Sequence, residues 1–322
     1  MSSPLDLLDD AEREQVAPGP PPEGSDAMKA VLTDDRFSDS GWIYERKLDG
    51  IRCIAVRDGG QVRLLSRNDI AMNARYPEVA AALDAQSGRF AVDGEIVAFD
   101  GDETSFAKLT RRGIESVPVF FYVFDVLWLD GEDVRPLPLR ARKRLLRAVL
   151  RFDDPLRATA HRNEDGEAFY EEACRKGWEG IIAKRADSPY AARRSRDWLK
   201  FKCGHGQELV IGGFTEPRGT RIELGALLLG YYDAEGALRY AGKVGTGFDR
   251  PALRDLGARL RELRRDSSPF ADEIRERGVT WTEPRLVAQI GFAEWTRDGR
   301  LRHPRYLGLR EDKDASEVVR ER

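Results

Sequence analysis

Two turn signals in quick succession, Asp49-Gly50 and Asp58-Gly59-Gly60, constrain the fold of this chain more than any other feature. Each interrupts a run rich in apolar residues, so 42–48, 51–57 and 61–67 are predicted to be strands folded back on one another. The first sheet therefore starts antiparallel. Further strands are expected over 89–99 and 117–129, the second so apolar that it belongs at a sheet centre with both faces buried. A helix is predicted over 77–86, with Pro77 early and Val79 and Leu83 on one face. Another is predicted over 137–151, with Leu145, Leu146 and Val149 inward and its many arginines forming a solvated face. A third helix over 166–175 and strands over 178–184 and 198–202 follow.

Beyond Gly204-His205-Gly206 the character shifts to short strands: 208–214, 225–232, 238–244 after a turn at 233–236, 285–296 and one near 301, with a helix over 250–265. Short strands with one helix fit a small barrel of the OB type, and an SH3-like barrel has the same strand count. A chain of 322 residues, at about 150 per domain, has room for two cores. The expected division is a flexible, acidic, Pro-rich leader over 1–30, a first domain over 31–204 and a second over 205–322. Within the leader, 17–25 holds four prolines and cannot sustain a helix or ladder. A short helix over 6–15 is the alternative to a solvated tail.

The formal net charge of −3 argues at first sight against nucleic acid. It is unevenly placed: residues 1–36 hold nine acids and three bases, leaving the rest at +3. Within the bases, 43 are Arg and only 10 are Lys. An ammonium can lose its proton and a guanidinium cannot, so each lysine invites a question. Three scattered cysteines, 53, 174 and 203, give neither a zinc spacing nor an even count for a disulfide framework. With no signal peptide and no long apolar run, a cytoplasmic, membrane-free address is expected.

Lys47 stands at a strand end before the Asp49-Gly50 turn, with Glu45 and Asp49 two residues to either side. Downstream come Ser66-Arg67-Asn68, Asp93-Gly94-Glu95, Phe124-Asp125, Glu179-Gly180-Ile181-Ile182-Ala183-Lys184, Trp198-Leu199-Lys200-Phe201-Lys202 and Arg310-Glu311-Asp312-Lys313. Five of the ten lysines lie in these segments. As a nucleophile, Lys47 would have to be neutral although a free lysine titrates near about 10.4. Lys200 and Lys202, two apart on one strand, share a face. Directed at Lys47, they would disfavour a third ammonium and neutralise phosphate oxygens.

This ordered series resembles the covalent nucleotidyltransferase superfamily, and most of all the ATP-dependent DNA ligases of the compact bacterial type found in end-joining enzymes. The resemblance covers nearly everything after residue 30. It implies an α+β fold: a nucleotidyltransferase domain of ATP-grasp-like antiparallel sheets with helices, followed by an OB-fold barrel. It also implies that Lys47 attacks the α-phosphate of ATP and becomes Lys-AMP, with Asp49, Lys200 and Lys202 in the catalytic set. On this resemblance Glu45 meets adenine through its backbone carbonyl, Phe124 stacks on the base, and Arg52 and Arg67 hold the phosphate of AMP or of DNA. Glu95 contacts the ribose and the metal environment, and Glu179 a divalent cation, Mg2+ or Mn2+. Arg310, Asp312 and Lys313 orient pyrophosphate.

Bland readings stand beside these: Phe124 as core, Glu95 and Glu179 as structural ion pairs, Lys200 and Lys202 as a solvated strand, and Arg193-Arg194-Ser195-Arg196 as either a phosphate-tracking run or a solvated loop. The expected activity is sealing of nicked or broken duplex DNA by a monomer, with end-joining or repair proteins as possible partners. An RNA ligase or capping-type guanylyltransferase is the alternative within the superfamily, and an inactive nucleic-acid-binding scaffold the alternative outside it. The absence of a four-cysteine site points to ATP rather than NAD.

Overall fold

The three predicted strands form as β1 (Trp42–Arg46), β2 (Ile51–Arg57) and β3 (Arg63–Leu65) in a computed structural model that describes residues 3–113, 116–217 and 222–321; β2 and β3 make the expected hairpin, whereas β1 does not pair with β2. The turn between β1 and β2 splits them between two sheets. Gly50 allows the split because a Cβ there would lie 2.2 Å from the Ile96 carbonyl oxygen. After helix α1 (Pro77–Asp84), β4 (Phe90–Val97) pairs with β2, and β5 (Phe120–Leu129) pairs with β4, all antiparallel. Beyond β5 lie the short strands Glu132–Asp133 and Ala17–Pro18. As its composition requires, β5 is buried along nearly its whole length.

The second sheet runs β6 (His161–Asn163), β1, β7 (Gly180–Arg185), β8 (Arg194–Lys202) and then the short strand Lys29–Leu32. Helix α2 (Leu139–Val149) packs on β5, and α3 (Gly166–Arg175) on β7. The basic run at 194–196 is strand, the opening of β8.

Three expectations need correction. Residues 4–28 are not a free leader. Leu8 joins the main core, the Trp128 indole donates to the Gly19 carbonyl at 2.7 Å, and Ala27 and Met28 are buried. Sequence rich in proline cannot ladder by itself, but the edge strand Glu132–Asp133 offers it partners, and scattered apolar residues suffice to dock it. The arginine-rich helix α2 is not wholly solvated either. Arg142 is fully buried, forked onto Asp125 at 2.8 and 3.0 Å and donating to the Leu137 and Ser188 carbonyls. The apolar strand β5 carries Asp125 into the core, and a buried carboxylate demands a cation. Finally, Cys174 and Cys203 form a disulfide, with Cys53 buried and free. Their separation of 29 residues conceals that α3 and the end of β8 are neighbours.

The chain divides between Cys203 and Gly204 into two compact units. The second is an OB-fold unit in which β9 (His205–Thr215) pairs with β10 (Leu227–Tyr232), β12 (Val279–Thr282) and β13 (Val287–Phe292). Strand β11 (Leu238–Val244) extends β10, and β14 (Arg305–Leu309) extends β13. Helix α4 (Arg250–Glu262), capped by Asp249, buries Leu253, Leu256 and Leu260 into this core. Among the described residues, no helix is long and apolar enough to cross a membrane.

Candidate active site

Lys47 lies just past β1, where its backbone N–H donates to the Gly180 carbonyl at 2.9 Å. Gly180 is irreplaceable there: its φ is +143°, and a Cβ would come within 1.9 Å of the Phe201 carbonyl oxygen. The preceding residue, Glu179, is thereby brought to Lys47, Nζ to Oε2 at 2.6 Å. The Glu179 carbonyl in turn accepts from the Cys203 N–H at 3.0 Å. Three strand ends thus meet at one point. Asp49 takes the Phe106 N–H on its carboxylate at 3.0 Å, which fixes the turn after the lysine.

Burial pushes the Lys47 ammonium down, but Glu179 foremost, with Glu95 and Asp49, more than offsets it, so the net direction is up. The expectation that neighbouring cations hold Lys47 neutral is overturned in this state. Lys200 and Lys202 pair in register with Ile182 and Gly180. Their charge acts on Glu179: burial raises that carboxyl, and Lys47, Lys202 and Lys200 bring it below its ordinary range. The site is a cluster of alternating charge rather than three crowded ammoniums.

Arg52 and Asp93 form a bidentate pair at 2.5 and 2.6 Å, the carboxylate fully buried. Tyr190 donates to the same carboxylate at 2.6 Å and accepts from the Met28 N–H at 2.8 Å, while Arg52 also reaches the Met28 carbonyl. Arg67 has its Nε buried with no hydrogen-bond partner, an orphaned donor of the kind that awaits an anion. Phe124 is almost buried. It packs edge-on against Trp198, with Arg52 4.5 Å and Lys184 4.1 Å from its centroid.

The Glu45 side chain does more than its backbone role required. It is buried between Lys143 of α2 and Lys184 of β7, the latter 2.7 Å from Oε2. The two ammoniums bring its carboxyl down against the upward push of burial. Burial foremost, with Lys143, lowers Lys184 to about 8 despite Glu45. Sequence reasoning gave Asp93, Lys143 and Tyr190 no role. Lys143 carried a signal, being the one lysine in an arginine-rich helix.

Arg310, Asp312 and Lys313 belong to the second unit, where Arg310 is forked onto Asp312 at 2.9 and 2.7 Å and Lys313 pairs with Glu208 at 2.6 Å. Among the described residues, no group of three or more His, Cys, Asp or Glu could hold a metal.

The profile of the ATP dependent DNA ligase domain matches residues 26–202, and that of the ATP dependent DNA ligase C terminal region matches 220–313. The chain belongs to the ATP-dependent DNA ligase family. This ligase is 42% identical over 292 residues to the multifunctional non-homologous end joining protein LigD of Pseudomonas aeruginosa, covering 87% of this chain and 35% of that protein. The LigD of Mycobacterium tuberculosis is 39% identical, with 88% of this chain and 38% of that protein covered. The ligase thus spans little more than a third of the length of these relatives. A solved mycobacterial DNA ligase D complexed with ATP and MES is 36% identical with a TM-score of 0.67, covering 92% of this ligase and 98% of that chain.

Proposed function

We propose that this ligase seals nicks or breaks in duplex DNA through a Lys47-AMP intermediate. The observation that carries the reading is the meeting of Lys47 with Glu179, Glu95 and Asp49 where three strand ends converge. The Lys47 amine, once neutral, forms a bond to the α-phosphorus of ATP as the bond to the β-phosphate oxygen breaks, and the amine sheds its proton. AMP then passes to the DNA 5′ phosphate, and the 3′ hydroxyl displaces it. Arginine could not replace Lys47, since it stays protonated.

Phe124 forms one wall for adenine beside Glu45. Arg52, held rigid by Asp93 and Tyr190, and Arg67, with its orphaned Nε, supply planar donors to phosphate. Lys200 and Lys202 neutralise charge on the triphosphate. Glu179 and Glu95 are hard oxygen donors, too few for a closed cage, which suits Mg2+ or Mn2+ completed by water and phosphate. Such an ion would supply charge neutralisation at the phosphates. Arg310, Asp312 and Lys313 would orient pyrophosphate during adenylylation. We further place the enzyme in the cytoplasm, at the nucleoid, as a monomer working with end-joining proteins.

Intact-mass measurement after incubation with ATP and Mg2+ tests the mechanism. Wild type gains one AMP and Lys47→Ala gains none. An adduct that persists in the variant, or none on wild type, overturns it.

A further inference from the structure

The disulfide between Cys174 and Cys203 joins the two stretches of chain that hold Glu179 in place. Cys174 lies in the last turn of α3, and Cys203 follows β8 directly. The turn from Cys174 to Glu179 is tight: the Gly177 N–H donates to the Cys174 carbonyl at 3.2 Å, and the Trp178 N–H to the Ala173 carbonyl at 3.0 Å. From the other side the Cys203 N–H donates to the Glu179 carbonyl at 3.0 Å, and the Tyr170 hydroxyl of α3 donates to the Lys202 carbonyl at 3.1 Å. The bridge thus ties the end of α3 to the end of β8 across the residue that pairs with Lys47. It lies wholly within the first unit, whose last residue is Cys203. Both bridged cysteines are half-buried, whereas Cys53 is buried.

A unit with so extensive a core does not need a staple to fold. In the cytoplasm, where the proposed function places this enzyme, a disulfide is more often transient and redox-sensing than structural. We propose that the Cys174–Cys203 bridge is a reversible redox site, opened by a dithiol reductant, that sets the rate of Lys-AMP formation through Glu179. This rests on the ligase reading above. One thiolate of the dithiol attacks a sulfur of the bridge, the S–S bond breaks, and a mixed disulfide forms as the other cysteine departs as a thiolate. The second thiol of the reductant then displaces the remaining cysteine. The reductant ends as its own disulfide, and two electrons and two protons come to rest on Cys174 and Cys203. The reverse exchange with a small-molecule disulfide restores the bridge. Once reduced, the turn that carries Glu179 keeps its backbone hydrogen bonds but loses its covalent tether to β8, so Glu179 is held less tightly beside Lys47.

The test uses the full chain, oxidised with oxidised glutathione or reduced with dithiothreitol and then freed of reagent. Thiols are counted by alkylation and intact mass, beside the single-turnover rate of Lys-AMP formation from ATP and Mg2+. After denaturation the oxidised protein is expected to show one thiol, Cys53, and the reduced protein three. Reduction without denaturant should slow Lys-AMP formation about fivefold, which corresponds to about 1 kcal/mol, at a temperature well below the Tm of either form, and reoxidation should restore it. Cys174→Ser and Cys203→Ser should show the slow rate with no response to dithiothreitol, whereas Cys53→Ser responds like wild type. The inference is overturned by three thiols that oxidised glutathione never brings to one, or by a bridge that dithiothreitol opens only after denaturation. A rate that is equal or faster in the reduced form overturns it as well. Absence of Lys-AMP in both redox states would instead defeat the ligase reading, while the thiol counts still report the exchange, so the two failures are distinguishable.

Discussion

Two clusters of charge, one at Glu45 on β1 and one at Lys47 just past its end, resolve in opposite ways. At Lys47, one ammonium meets Glu179, Glu95 and Asp49, and its affinity for the proton rises. At Glu45, one carboxylate meets two ammoniums, and Lys184 falls to about 8. Burial penalises the charged form of lysine in both, so burial alone does not decide the direction; the ratio of opposite charges around it does. The two also differ in access. The Lys47 and Glu179 side chains keep 20% and 26% of their exposure, while Glu45 and Lys184 keep 2% each. The open cluster can exchange its partner for a substrate, and the closed one holds β1, β7 and α2 together beneath it.

The largest effect expected from this contrast is at the open cluster. Lys47→Arg keeps the charge and the pairing with Glu179 but cannot lose its proton, so Lys-AMP and nick joining should both vanish while Tm stays within a degree or two of wild type. Labelled adduct in that variant would break the distinction between pairing and chemistry.

At the closed cluster, Glu45→Ala strands two buried ammoniums. Unfolding in denaturant should show a loss of about 3–5 kcal/mol. A loss below about 1 kcal/mol would mean that water reaches the cluster and that the contrast in access is illusory.

A third network lies between these extremes. Tyr190→Phe removes one donor to Asp93 and one acceptor for Met28, and should cost about 1–2 kcal/mol of stability. Because Asp93 keeps its fork to Arg52, Lys-AMP formation should fall less than tenfold in a single-turnover assay.

The smallest effect is in pH dependence. Lys184 titrates near 8 when folded against 10.5 ordinarily, so between these values the unfolded chain binds the extra proton. The stability linked to this group is therefore fully present above the unfolded value and lost as pH falls through about 8. Lys184→Met lacks this dependence. Denaturation at about pH 7 and pH 8 should show wild type gaining on the variant by about 0.3–0.4 kcal/mol at the higher pH. No change between the two would mean that the Glu45 cluster holds Lys184 charged.

Much of the fold could be read from local pattern. The Asp58-Gly59-Gly60 turn gave the β2–β3 hairpin, and the apolar run over β5 gave a buried strand inside its sheet, because side-chain periodicity and turn conformation are local properties; that the Asp49-Gly50 turn sends β1 into a second sheet was not visible. Helix α3 matches its expected bounds, Gly166–Arg175. The residues later brought to Lys47 were visible as motifs, since chemistry at phosphate admits few residue types. Docking of residues 4–28 was not visible, because it depends on an edge strand that is remote in sequence. Nor was the burial of Arg142 and Lys143, which answers the buried Asp125 and Glu45 rather than anything in α2 itself.

By itself, then, the sequence determined most element types, a change of character close to the division that the structure makes after Cys203, and the motif that singles out Lys47, all set by short-range geometry and intrinsic chemistry. Tertiary structure alone decided which charges face one another: that Glu179 pairs with Lys47, that Lys200 and Lys202 act on that carboxylate, that Glu45 is shared by two lysines, and that Cys174 meets Cys203. Coulomb interaction falls with distance and strengthens with burial, and neither quantity exists until strands separated by more than a hundred residues are laid side by side.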